Sequence, residues 1–345
     1  MRTDPCICGQ TLFFDNTRCV HCGRDAGWCE TSHRIVGVEK DGTCSQGHRV
    51  RPCSNRTQHD VCNRFLDAAN SADGDLCLAC GLNLTVPDLT VPGNRARWAA
   101  LEAAKRRMCY DLRLIGQPVD EISSERAKAI PLRFEFKADP GAAPPTQGGQ
   151  WRPTDGGEPV YTGHADGVIT INIKETDDVE RERTRINLGE PQRTLVGHFR
   201  HEVGHYFWDV LIKHHPERLD SFKALFGDPD NPTYSDALDR HYKQGPPADW
   251  QQSYISAYAT MHAWEDWAET WSAYLDILST LDTLSAHGAY AWSDDESFED
   301  RLRSFIDKSV MLNELSRNQG LLQMVPEVLT PKVREKLHYV HNLVS

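Results

Sequence analysis

Arg193-Thr-Leu-Val-Gly-His-Phe-Arg-His-Glu-Val-Gly-His-Tyr-Phe-Trp-Asp-Val-Leu-Ile212 is the stretch on which the reading of this chain turns. Apolar residues recur along it at helical spacing and Thr194 is placed to cap its start, so it predicts a helix of about twenty residues. Within it, His201-Glu202-Val203-Gly204-His205 sets two imidazoles four residues apart on one helical face, where both can reach one zinc ion. Glu202 follows the first imidazole and can stand beside the attacking water as general base. Random placement of the chain's 15 His and its Glu residues would give this pattern in roughly 4% of such sequences, so the surroundings must carry part of the argument.

A catalytic zinc takes three protein ligands and keeps one position open. The metzincin spacing would need Gly at 208 and His at 211; Trp208 and Leu211 exclude it. His214 and His215 lie too far along the helix to converge. The better source is His262-Ala-Trp-Glu-Asp-Trp-Ala-Glu-Thr-Trp-Ser-Ala-Tyr-Leu275, where Glu265 and Glu269 share a helical face among Trp264, Trp267, Trp271 and Tyr274. Carboxylates in such an apolar setting need a cation or hydrogen-bond partner.

Upstream, Pro131–Lys137 alternates apolar and charged residues as a half-buried strand, and Gly167–Ile173 puts Ile169, Ile171 and Ile173 on one face of another. The latter is a candidate edge for an extended substrate, provided that edge is free. Residues 139–159, rich in Pro and Gly, predict a long irregular loop, and residues 95–115 a helix burying Trp98, Leu101, Met108, Leu112 and Ile115. Lys105, Arg106 and Arg107 on that helix read as a solvated face. His164 and His198 are expected to support the site rather than to ligate.

Ten of the eleven Cys lie in the first 80 residues, and Cys109 alone lies beyond them. Cys6, Cys8, Cys19 and Cys22 form one set, and Cys53, Cys62, Cys77 and Cys80 a second; each matches a closed tetrahedral zinc shell. Cys29, Cys44, His48 and His59 are spare ligands, the two Cys reading better as small buried hydrophobes. Leu84–Asn94, with two Pro and a Gly, reads as a linker. Residues 1–90 are thus expected to form a Cys-rich zinc-ribbon domain and residues 91–345 a second domain, in an α+β chain whose larger part is mainly helical with a small sheet.

The N-terminus has no apolar signal region and no run is apolar enough to span a membrane, which points to a cytoplasmic chain. The net charge of −12 and the near-neutral ribbon (9 Lys+Arg, 11 Asp+Glu over residues 1–90) argue against nucleic acid as a partner and favour protein docking by the ribbon.

The pair His201-Glu-Val-Gly-His205 and Glu265-Asp-Trp-Ala-Glu269 resembles the gluzincin pattern, and its spacing is similar to that of the anthrax lethal factor catalytic domain. That resemblance implies a zincin-like fold, Glu265 as third zinc ligand, Glu269 supporting the ligands, and Tyr258 assisting the oxyanion, with Tyr254 the competitor for that role and His262 a further candidate donor. More of the chain, including Asn94-Arg-Ala-Arg-Trp98, Thr162-Gly-His-Ala-Asp-Gly167 and Trp264-Glu-Asp-Trp-Ala-Glu-Thr270, resembles bacterial zinc-binding metallopeptidases with an N-terminal zinc ribbon. It implies amide hydrolysis of a peptide or protein, one catalytic zinc and two structural ones. The Cys6-x-Cys8 pair departs from the usual two-residue knuckle of such ribbons. The rival reading is a ribbon interaction module on a regulatory or inactive peptidase scaffold.

Overall fold

A computed structural model describes residues 1–119, 127, 129–139, 159–188, 194–326 and 328–345. Strands β1 (Asp4–Pro5) and β2 (Thr11–Leu12) pair antiparallel in the first Cys knuckle region. β3 (Ala26–Cys29), β4 (Arg34–Gly37), β5 (Val50–Pro52) and β6 (Arg64–Asp67) form a sheet in the order β4-β3-β6-β5. The short helix α1 (Ser54–His59) follows β5, and α2 (Leu78–Gly81) carries the last Cys pair.

The second sheet runs β7-β8-β10-β9, from β7 (Asn83–Thr85), β8 (Arg133–Lys137), β9 (Gly163–Ala165) and β10 (Val168–Asn172). β8 is parallel to both β7 and β10, and β9 is antiparallel to β10. Phe134, Phe136, Ile169 and Ile171 are buried, as period-2 alternation requires. Both edges of β10 are paired, so the expected substrate edge on that strand is overturned; the edge strands are β7 and β9, the latter because the short Gly163–Ala165 segment folds back onto β10 through the Asp166-Gly167 turn. The loop expected over residues 139–159 lies, but for its two ends, outside the described residues.

The helices are α3 (Asn94–Leu114), α4 (Asp178–Leu188), α5 (Leu195–Leu211), α6 (Pro216–Phe226), α7 (Tyr234–Gln244), α8 (Ala263–Ala286), α9 (Phe298–Asn318) and α10 (Pro331–Val344). The fold is α+β, a small Cys-rich part followed by a mainly helical part with a small sheet. Thr194 caps α5, its hydroxyl accepting from Gly197 N at 3.0 Å. α5 and α8 cross in close contact: Gly204 leaves room for Ala268 and Trp271, Trp267 Nε1 donates to Gly204 O at 2.7 Å, and Phe207 stacks on Trp271 at 4.5 Å.

Two features of the junction depart from expectation. The start of the supposed linker, Leu84 and Thr85, is strand β7 of the second sheet, where β8 offers it an unpaired edge and Asn83 is tied to α3 by donating to Glu102 at 2.7 Å. The basic cluster on α3 is not a solvated face. Lys105 is fully buried, paired with Glu102 at 2.9 Å, and Arg106 donates to Val61 O at 2.9 Å. Arg107 pairs with Asp15 of the ribbon. Lys105 lies among Asn83, Glu102 and the rings of Phe134 and Phe136, where water is excluded and the cation takes protein partners.

Candidate metal centres and active site

The structure brings together both Cys sets that the spacing predicts. Cys6 and Cys22 sulfurs lie 3.8 Å apart, Cys8 and Cys19 3.6 Å, and Cys62 and Cys77 3.7 Å. A tetrahedron with zinc–sulfur bonds near 2.3 Å has edges of about 3.75 Å, so the spacing suits zinc. All eleven Cys are free of disulfides. Cys29 and Cys44 sit in a small apolar cluster with Val36, Val38, Val50 and Phe65, outside both sets, and His59 packs on Trp98 at 5.4 Å.

The third group is His201, His205 and Glu265. Its ligand atoms approach one another closely: His201 Nε2 is 2.9 Å from Glu265 Oε2 and 3.2 Å from His205 Nε2, and His205 Nε2 is 3.5 Å from Glu265 Oε2. With bonds of about 2.0–2.1 Å the edge of a tetrahedral zinc site is about 3.3 Å. The donor set fits the ion chemically as well. His201 Nδ1 faces Glu269 Oε1 at 2.7 Å, a carboxylate placed to take the Nδ1 proton when Nε2 binds a metal. Glu265 Oε2 is buried without an aligned hydrogen-bond donor. A cation between these three atoms would satisfy them together.

Around this point each side chain has a traceable support. Glu269 Oε2 accepts from Ser256 Oγ at 2.6 Å, and Tyr234 donates its hydroxyl to Glu265 Oε1 at 2.8 Å. His205 packs against Trp264 at a tilt, ring centroids 3.7 Å apart. Glu202 is buried, and His198 Nε2 lies 3.2 Å from its Oε1 while His198 Nδ1 engages Glu175. Burial works against the Glu202 carboxylate, but the hydrogen bond and charge of His198 outweigh it and hold the carboxyl below its ordinary value. Glu202 is therefore an ionised acceptor at neutral pH.

Tyr258, on the short turn Tyr258–Thr260, lines the same cavity with its ring 6.1 Å from that of His201. Burial, then the negative charge of Glu265, pushes its hydroxyl well above the ordinary range, so it stays a proton donor. Tyr254 also lines the cavity, but its ring carries the Lys336 ammonium at 4.3 Å. His262 does not line it. Its Nδ1 accepts from Trp264 N at 3.2 Å as the cap of α8, and its ring packs edge-on against Tyr234 at 5.4 Å. His164 accepts from Gly167 N at 3.1 Å and closes the β9–β10 turn.

The sequence reading missed Tyr234, Ser256 and Glu175. They come from three separate segments with no motif spacing to the ligands, and only the glutamate follows a predicted strand. The cavity that all these residues border measures about 980 Å³.

A mixed fold with a buried His-His-Glu cluster in a cleft, preceded by Cys-ligated ribbon turns, defines a class of zinc-binding metallopeptidase chains. This chain belongs to that class: residues 94–343 match the family described as "putative zinc-binding metallo-peptidase", and residues 5–91 match a zinc-ribbon domain. It is similar to uncharacterized proteins of Mycobacterium bovis and of two strains of Mycobacterium tuberculosis. Each is 36% identical over 346 residues, covering 98% of this chain and 93% of the relative. No solved structure matches the chain. Among the described residues no helix is long and apolar enough to cross a membrane.

Proposed function

We propose that the chain is a zinc-dependent peptidase of the gluzincin type that hydrolyses peptide or protein amide bonds. The observation that carries this reading is the convergence of three ligand atoms within 3.5 Å of one another, with the Glu202 carboxylate in the same cavity. His201, His205 and Glu265 would hold the ion, with Glu269 fixing the His201 ring. Zinc bound there supplies a Lewis acid that polarises a carbonyl and brings the pKa of water towards neutrality.

Glu202 then accepts the proton of the attacking water and delivers it to the departing amide nitrogen. Its carboxylate is held in place by His198. Tyr258 donates its hydroxyl to the oxyanion of the tetrahedral intermediate. The outer edge of β9 is the strand available to an extended peptide, since it ends the sheet and borders the cavity through Gly163 and His164.

Functionally we divide the chain into a zinc-ribbon unit over residues 1–90 and a peptidase unit over 91–345, with one catalytic and two structural zinc ions. Exposed Phe13 and Val20 on the first ribbon suit docking to a protein. The reduced Cys shells fit a cytoplasmic setting. The test is metal analysis together with cleavage of a peptide library by the purified chain. Glu202→Gln should keep about three zinc ions and lose about a hundredfold or more in rate, whereas His201→Ala should lose one zinc. A Glu202→Gln chain as active as the wild type, or a His201→Ala chain with full zinc content, refutes the assignment.

A further inference from the structure

The cleft has a second wall that the chemistry above does not use. Residues Gln323, Met324, Val325, Pro326 and Val328 border the same cavity as the three ligands. Met324 is 52% exposed and Val328 78%, and the preceding Leu321 and Leu322 are 63% and 60% exposed. Four large apolar side chains held in water within eight residues are costly unless something covers them.

They are held there by construction. The fully buried Asn313 of α9 clamps the backbone: its Oδ1 accepts from Met324 N at 2.8 Å and Val325 N at 3.1 Å, and its Nδ2 donates to Val325 O at 2.8 Å. Val325 and Leu329 turn inward to the core. With the backbone pinned and the alternate side chains buried, Met324 and Val328 have no inward option. After them, Thr330 donates to Gln252 O at 3.0 Å, which ties this strap to the segment carrying Trp250, Tyr254 and Tyr258.

Facing the ligands from that side is an apolar and aromatic surface: Tyr234, Leu238 and Tyr242 of α7, and Trp250, Tyr254 and Ile255 after it. A cavity of about 980 Å³ lies at the upper end of small-molecule sites, and here it continues onto the exposed strap.

We infer that the strap and the α7 wall form a binding groove for bulky apolar side chains, and that the substrates are extended polypeptide segments bearing such side chains next to the scissile bond. The occupant is a substrate chain rather than a second copy because the apolar surface is continuous with the ligand cluster, so whatever covers Met324 and Val328 also reaches the reacting centre. This inference rests on the peptidase reading for its chemistry and on the strap alone for its specificity.

The test uses the zinc-loaded full chain carrying Glu202→Gln, so that peptide is bound and not consumed. Fluorescence anisotropy compares a labelled peptide rich in Leu and Phe with one of equal length built from Ser, Gln and Gly. The apolar peptide should bind at least about tenfold more tightly, and adding Met324→Asp with Val328→Asp should remove about tenfold of that affinity. Zinc content and melting temperature should stay as they were, since both side chains are exposed. Equal binding of the two peptides, or an unaffected double variant, overturns the inference. So does a dimer in sedimentation that the double variant dissolves while no peptide binds, which would make the strap a contact between copies. Wild-type protein separates the two claims. Apolar peptide bound but never cleaved supports the groove and removes the peptidase reading; cleavage indifferent to apolar residues keeps the peptidase and removes the groove.

Discussion

Tyr234 donates to Glu265 Oε1, so the other carboxylate oxygen is the one turned towards His201 and His205. Partners of this kind orient the groups that touch a metal, and their removal weakens affinity by about 10–100-fold. Tyr234→Phe should therefore weaken zinc binding at the His-His-Glu site by about tenfold in competition with a chromophoric chelator, the Cys-bound zinc being unaffected. An unchanged affinity would show that the hydrogen bond does not orient Glu265. None of this was visible from residue types: an isolated Tyr carries no spacing signal, whereas His201, Glu202 and His205 announce themselves because a helix repeats every 3.6 residues.

At the scale of elements, the site is a crossing of two helices. α5 brings His201, Glu202 and His205, α8 brings Glu265 and Glu269, and they meet because Gly204 and Ala268 let the backbones approach. A Cβ at Gly204 would stand 3.0 Å from Ala268 Cα and 3.2 Å from Trp271 Cβ. Ala is the better helix former by about 1 kcal/mol, but overpacking between buried helices costs about 1–3 kcal/mol. The clash involves backbone and a buried Trp, so it wins. Gly204→Ala should be net destabilising by about 1 kcal/mol in denaturant unfolding and should loosen zinc at the same time. A stabilised variant with intact zinc affinity would contradict the close-crossing account. Both helices were legible from periodicity, and so was the buried face of α3; the covered edge of β10 was not, because strand order depends on partners far away in sequence.

Over the whole molecule, the two ribbon sites are differently placed. Cys6 and Cys19 belong to a small cluster around Leu12, Phe14 and Trp28. Cys53, Cys62, Cys77 and Cys80 belong to the large core that runs on through Trp98, Phe134, Phe207 and Trp271 to Val344. The second site also leads directly into β7, the first strand of the sheet beside the active cleft. Metal loss there should thus be felt in the peptidase part. Cys77→Ser is expected to lose one zinc and lower the melting of the Trp-rich core by on the order of 10 °C, while Cys8→Ser should leave that transition nearly in place. Equal effects from both substitutions, followed by intrinsic Trp fluorescence, would dispose of the distinction.

What the sequence by itself determined is everything set by spacing along one chain segment. The i,i+4 imidazoles, the paired glutamates, the two Cys sets and the alternating strands depend on helix and strand periods or on tight turns, and these are local. Only the tertiary structure decided which Glu265 oxygen meets the histidines, that His262 caps a helix instead of facing the cleft, that Lys105 and Arg106 are buried, and that an apolar strap borders the ligands. Those outcomes depend on which surfaces exclude water together, and segments distant in sequence settle that by packing, with no trace in the spacing of either one.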